Sequence, residues 1–177
     1  YWGPQAFTAG PMYMGAISVF LFVLGLVVLQ GTTKWWIAGI SLLALLLGWG
    51  KHFMWLSSLF FDYVPLYNKF RVPSMILTIL QLTIPLLGFY SLHQIFSDKI
   101  EKKRVIKGLK LALGITGGFC LLFALLPSLA GSFTSPADSQ FPDWLQQALP
   151  EDRQSMLRSD AFRSLLFILA GAATIWA

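Results

Sequence analysis

Long apolar runs alternate with short polar or proline-bounded interruptions along the whole chain. A window of roughly 20 nearly charge-free residues matches the thickness of a bilayer's hydrocarbon layer, and five stretches approach that length. The first covers about residues 12–29, where Gly15 and Gly25 leave small faces for the close approach of another helix. Gln30 to Lys34 form a polar turn. The second covers 35–49, opening on Trp35 and Trp36 where interfacial aromatics belong, and is somewhat short of a full crossing. The third covers 75–96 with Pro85 as a kink, and the fourth covers 109–126 with Gly114, Gly117 and Gly118 as further small faces or kinks. The fifth covers 161–177, either capped by Asp160 or continuing a helix begun at Pro150.

The interruptions differ in kind. In residues 50–74, Phe53, Trp55, Leu56, Phe60 and Phe61 are interleaved with Lys51, His52, Ser57, Ser58 and Asp62, a mixture that predicts an interfacial or re-entrant helix ending at an elbow between Pro65 and Pro73. Residues 97–110 form a dense basic turn. Residues 127–160 are polar and divided by Pro136, Pro142 and Pro150, which predicts two short helices, 143–149 and 151–158, as an amphipathic cover. The fold class is therefore all-α: a polytopic transmembrane helical domain of about five spans plus interfacial helices.

Composition agrees with the pattern. The 177 residues are 56% hydrophobic and 12% charged, against about 25% charged in soluble domains, so the surplus apolar surface must face lipid. The chain opens on Tyr1 without an initiator Met and closes inside an apolar run, so both ends read as cut from a longer protein. The net charge of +5 does not point to nucleic acid, because six of the thirteen basic residues crowd into the turn at 97–110. Short, dense positive loops stay in the cytoplasm. With that turn in the cytoplasm, residues 50–74 and 127–160 face outward. Cys120 alone excludes an internal disulfide and a thiolate metal cluster, and the carboxylates and histidines are not spaced as metal ligands. No cofactor is expected.

Candidate chemistry concentrates at the foot of the third span, in Tyr67, Asn68, Lys69 and Arg71. The Arg fork matches phosphate oxygens and Lys adds a mobile point charge, so the pair can hold a phosphate at headgroup depth; equally, both can snorkel to ordinary lipid headgroups. Lys51 and His52 either join that electropositive site or end the second span. Asp62 is a general-base candidate or an ion-pair partner for Lys69 or Arg71. His93 reads as a solvated helix-end residue. Walker, dinucleotide, nucleophile-elbow and zincin motifs do not occur in the chain.

Tyr1-Trp-Gly-Pro-Gln-Ala-Phe-Thr-Ala-Gly-Pro-Met-Tyr-Met-Gly15 and Asp62-Tyr-Val-Pro-Leu-Tyr-Asn-Lys-Phe-Arg-Val-Pro-Ser-Met75 together resemble the YfhO-type bacterial membrane proteins. These are similar to the GT-C superfamily of membrane glycosyltransferases. The resemblance implies an enzyme that transfers sugar from a polyprenyl-phosphate donor to a cell-envelope glycan acceptor outside the membrane. Lys69 and Arg71 would neutralise the donor phosphate, with Tyr67 and Asn68 positioning it. The family's catalytic acid lies in a first extracytoplasmic loop expected outside this stretch, so no catalytic residue is assigned. Two rival classes remain: a transporter or flippase of lipid-linked sugars, which calls for mid-membrane polar residues such as Gln81 and Thr83, and a non-catalytic structural subunit.

Overall fold

A computed structural model describes residues 13–65, 67–69 and 73–176. Among these residues the chain is all-helical, with no β-strand, and it forms two compact units, Met12–Gly108 and Leu109–Ala177. Three helical stretches are long and apolar enough to cross a membrane: Met75–Phe96, Lys102–Leu125 and Asp143–Trp176. Two shorter apolar helices, Ala16–Val28 and Thr33–Gly48, precede them.

In the first unit, α1 (Ala16–Val28) starts after Gly15, whose φ of +74° only glycine adopts freely, and stops where Leu29 turns extended. Gly15 therefore serves as a helix start, not as the close-packing face the sequence suggests. Gly31, at φ +95°, reverses the chain into α2 (Thr33–Gly48), whose first amides, Trp35 and Trp36 N–H, donate to the Thr32 carbonyl. A short 3-10 turn (Gly50–Phe53), α3 (Met54–Tyr63) and two further 3-10 turns (Tyr67–Lys69, Pro73–Leu77) lead into α4 (Thr78–Phe96).

Packing fixes the directions. Leu21 meets Gly88, and Gly25 meets Leu87 and Ser91, so α1 and α4 run parallel. Ser41 bonds Thr83 and Gly48 touches Leu77, so α2 runs antiparallel to both. A Cβ on Gly25 would lie 3.1 Å from the Leu87 backbone oxygen, and one on Gly88 would lie 2.9 Å from Leu21 Cβ. Small residues bring the two backbones together, as in membrane helix pairs, where dispersion contact has to replace a hydrophobic driving force. Because α2 ends where α4 begins, the chain between them leaves and rejoins the bundle at one end.

The second unit holds α5 (Lys102–Leu125), which starts in the first unit, two 3-10 turns (Pro127–Ala130, Pro136–Gln140) and α6 (Asp143–Trp176). Two features differ from expectation. The helix after the basic turn begins at Lys102 and not near 109, because Glu101 supplies its carbonyl to the Arg104 and Val105 N–H groups and the lysines that follow are good helix formers. The break expected at Pro150 is absent as well: residues 143–176 form one 34-residue helix with Pro150 inside it. Proline in the eighth position removes a single backbone donor, and the flanking turns carry the helix through. Gly117 of α5 meets Leu165 of α6 at 3.4 Å, whereas Gly114 and Gly118 face open space.

The described helices are apolar outside as well as in the core, where Phe20, Leu24, Leu47, Leu87 and Ile168 are buried. Leu82, Leu86 and Phe89 stand exposed along α4, as do Leu111, Ile115, Phe119 and Leu122 along α5 and Phe162, Leu166 and Leu169 along α6. Their spacing of three to four residues makes each an outward apolar stripe. The buried side of the helices holds Ser41, Thr83, Ser91 and Thr116. Each hydroxyl is satisfied: Ser91 donates to the Gly88 carbonyl at 2.7 Å and Thr116 to the Ala112 carbonyl at 2.8 Å. Ser41 lies 2.7 Å from the Ile37 carbonyl and 2.8 Å from Thr83 Oγ1. A hydroxyl carries one proton; with Ser41's on the carbonyl, the threonine's serves the contact between helices. An apolar exterior with the few buried hydroxyls all hydrogen-bonded is an arrangement that hydrocarbon tolerates.

The glycine contacts separate two outcomes. Gly88→Ala must displace Leu21 and is expected to lower stability by about 1–2 kcal/mol. Gly39→Ala, in the middle of α2 with no atom within 4 Å of the added carbon, is expected to raise it by about 0.5–1 kcal/mol. Unfolding followed by far-UV circular dichroism in mixed micelles checks both, and a shift of the same sign for the two variants would overturn the α1–α4 packing.

Candidate functional site

The end of the bundle where α2 stops and α4 starts carries Lys51, His52, Asp62, Tyr67, Asn68 and Lys69 of the residues that the sequence singles out. Trp49 N–H closes α2 on the Leu45 carbonyl, Gly50 takes φ +49°, and Ser57 Oγ donates back to the Gly50 carbonyl at 3.0 Å, which folds α3 against the turn before it. No α3 residue is buried, and Trp55, Phe61 and Tyr63 are exposed, as suits an interfacial helix. Val64 then turns extended ahead of Pro65. The half-buried Tyr67 ring meets Phe60 edge-on with centroids 5.7 Å apart, tying the elbow to the last turns of α3.

On this frame Lys69 ends the Tyr67–Lys69 turn with its side chain exposed, and Asn68 lies in the middle of the turn. His52 and Asp62 are exposed as well, His52 in the first 3-10 turn beside Lys51 and Asp62 in the last turn of α3. Arg71 lies outside the described residues, as does the opening segment quoted for the family resemblance. Among the described residues Asp62 and Lys69 form no ion pair, so the pairing considered from sequence is not made with that lysine. The elbow therefore presents an ammonium and aromatic edges at one end of an apolar bundle. Such a group can neutralise a phosphate at headgroup depth while the rings meet a hydrocarbon chain. Among the described residues no three His, Cys, Asp or Glu side chains converge as metal ligands would.

The tightest polar cluster escaped the sequence reading. In the second unit Arg153 of α6 clamps Asp138 through two parallel bonds, Nη1 to Oδ2 at 2.6 Å and Nη2 to Oδ1 at 2.7 Å, and Nη1 also donates to the Phe133 carbonyl at 2.8 Å. Ser135 N–H donates to Asp138 Oδ2 at 2.6 Å. Both side chains are 12% exposed. The fork-to-fork geometry fastens the loop before α6 onto the helix. Asp138 and Arg153 are 15 residues apart in unrelated patterns, and only the Ser-Pro start of the 3-10 turn at 135–136 hints at a local structure there. With both carboxylate oxygens of Asp138 and both terminal nitrogens of Arg153 engaged, the cluster serves as a structural clip.

Comparison with protein-family models, curated proteins and solved structures yields no match. The resemblance to YfhO-type proteins rests on the two quoted segments.

The Arg153 guanidinium, followed by the Ser135 amide, holds the Asp138 carboxyl below its ordinary range. A depressed folded-state value stabilises the docked loop fully above the ordinary carboxylate pKa of about 4, and the contribution is lost as pH falls through the lowered value. Hydrogen exchange of amides 133–141, corrected for intrinsic rates, is expected to speed up on acidification below about pH 4. Asp138→Asn is expected to exchange fast at every pH, and protection that persists in that variant would show that the clip does not hold the loop.

Proposed function

We propose that this chain is part of a GT-C-like membrane glycosyltransferase that transfers a sugar from a polyprenyl-phosphate donor to an extracytoplasmic cell-envelope acceptor. The observation that carries the reading is the course of residues 49–73. They depart from and rejoin one end of the α1–α2–α4 bundle, and they present there the exposed Lys69 and the Phe60–Tyr67 ring pair. That end meets the chemical needs of a lipid-phosphate donor, a cation for the phosphate and aromatic surface for the isoprenoid. The two segments similar to YfhO-type proteins support the same assignment.

In this reading α1, α2, α4, α5 and the apolar half of α6 are five crossings of a bacterial cytoplasmic membrane. The short α1 and α2, about 20 and 24 Å long at 1.5 Å per residue, cross it where the layer is thinned or where flanking residues extend them. The basic residues 97–110 lie in the cytoplasm, and the elbow and the start of α6 face outward. Lys69 and Arg71 hold the donor phosphate as it becomes the leaving group, Tyr67 and Asn68 orient it, and Lys51, His52 and Asp62 line the approach. The catalytic acid belongs to a part of the parent protein beyond this stretch.

The test is sugar transfer by the purified full-length parent from defined polyprenyl-phosphate donors. Arg71→Ala and Lys69→Ala are each expected to lower turnover by roughly 10- to 100-fold, since a donor aimed at developing charge contributes on that scale. Unchanged turnover in both variants removes the phosphate assignment. A cysteine placed at Lys103 is expected to resist membrane-impermeant thiol reagents in intact cells, and labelling there reverses the orientation.

A further inference from the structure

At the opposite end of the first unit, where α1 and α4 stop and α5 starts, a cavity of about 400 Å³ opens. This volume falls within the ~300–1,000 Å³ range of small-molecule sites. Tyr90 and Gln94 from the last turns of α4, Lys99 and Glu101 from the connecting turn, and Arg104 from the first turn of α5 supply its polar groups. Val28, Leu29 and Ile100 supply apolar wall.

The turn is closely built. Asp98 takes the left-handed conformation at φ +51°. Its N–H donates to the Ile95 carbonyl and the Lys99 N–H to the Gln94 carbonyl, each at 3.2 Å, so the end of α4 is closed by a Schellman motif. At the end of α1, Lys34 Nζ takes the Leu26 carbonyl at 2.8 Å and Arg104 Nη2 reaches the Leu29 carbonyl at 3.5 Å. The Leu26 and Leu29 carbonyls, which would repel an anion, are thereby engaged. Arg104 has five N–H donors, and this one long bond leaves most of them for a ligand. Lys99 adds a mobile ammonium, and among the described residues no hydrogen bond or ion pair engages it. With Glu101 counted, the ionic lining carries one net positive charge, which matches a monoanion. The level in the bilayer is marked as well: Trp35 and Trp36 stand exposed at this end, with Lys34 Nζ 5.2 Å from the Trp35 ring centroid. Aromatic and cationic residues of this kind sit at headgroup depth.

We propose that this cavity binds the phosphodiester headgroup of an anionic phospholipid of the phosphatidylglycerol type. Arg104 and Lys99 take the phosphate, Tyr90 and Gln94 add donors, and Glu101 accepts from the headgroup hydroxyls. The apolar wall leads on to the acyl chains. This site lies at the other end of the bundle from the proposed sugar-donor elbow and does not depend on it.

Native mass spectrometry of the full chain in detergent, titrated with phosphatidylglycerol or phosphatidylcholine, tests the site. Phosphatidylglycerol is expected to bind several-fold more tightly, because phosphatidylcholine has no net charge and its quaternary ammonium cannot donate to Glu101. Arg104→Gln and Lys99→Gln are each expected to weaken phosphatidylglycerol binding about 10-fold, the scale of one lost hydrogen bond to a charged group. The lysine variant leaves both helix caps intact and so guards against a folding artefact. Lys103→Gln, in the same turn but outside the lining, should bind as the unaltered chain does. Equal affinity for the two lipids, equal weakening by Lys103→Gln, or full displacement of the lipid by millimolar inorganic phosphate each overturns the proposal, the last by making free phosphate the ligand.

Discussion

A peptide N–H or carbonyl left unpaired in hydrocarbon costs several kcal/mol, because no water is present to take the missing partner's place. That constraint accounts for most of what the chain does. It explains why every described element is helical, why the buried hydroxyls of Ser91 and Thr116 bend back to carbonyls within their own helices, and why Ser41 and Thr83 find each other between helices. It also explains how the helices end. The Leu26 carbonyl in the last turn of α1 and the Leu29 carbonyl just past it are met by Lys34 and Arg104, side chains brought from the next helix and from 75 residues away. The cations sit against the negative end of the α1 dipole, so they also lower its electrostatic cost.

With lipid outside, burying apolar area no longer distinguishes a folded bundle from separated helices. Specificity then falls to shape. Gly25 and Gly88 let the α1 and α4 backbones come together, the parallel pairing positions α2 against them, and α2 in turn returns the chain to the end where the elbow forms. Long side chains outside this contact are free to present Leu, Ile and Phe to the bilayer. The aromatic and charged residues therefore gather at the two ends of the bundle, which become chemically distinct: aromatic edges with an isolated ammonium at one, and a walled cationic cavity at the other.

Much of this fold can be read from the residues, for a physical reason. Apolar length is legible directly, so the stretch at 75–96 matches its helix, whereas the next one, read from 109, begins at Lys102. Features that depend on contacts distant in sequence are hidden. Nothing local says that Arg153 will clamp Asp138, that α1 will lie parallel to α4, or that Arg104 will reach Leu29 and wall a cavity. Pro150 misleads because proline is read as a break, yet its cost is a few kcal/mol against a long run of good helix formers on either side. The basic residues 102–110 mislead in the same way. Their charge marks a turn, while their long stems are good helix formers, and the stems decide the conformation. At the elbow the residue types are visible in the sequence, whereas Lys69 standing without an acidic partner among the described residues and Tyr67 pinned by Phe60 emerge only from the arrangement.

The uninterrupted course of α6 has a mechanical consequence. Thirty-four helical residues make a rod of about 51 Å at 1.5 Å per residue, while the hydrocarbon layer is about 30 Å thick. Set across a membrane, such a rod would leave roughly 20 Å of stiff post beyond the lipid, with Arg153 on its shaft, and through that arginine the loop at 133–138 is fixed to the post. A force that pulls on the loop is not absorbed by a flexible joint. It is carried as torque along the rod and becomes a change of tilt at the buried apolar end.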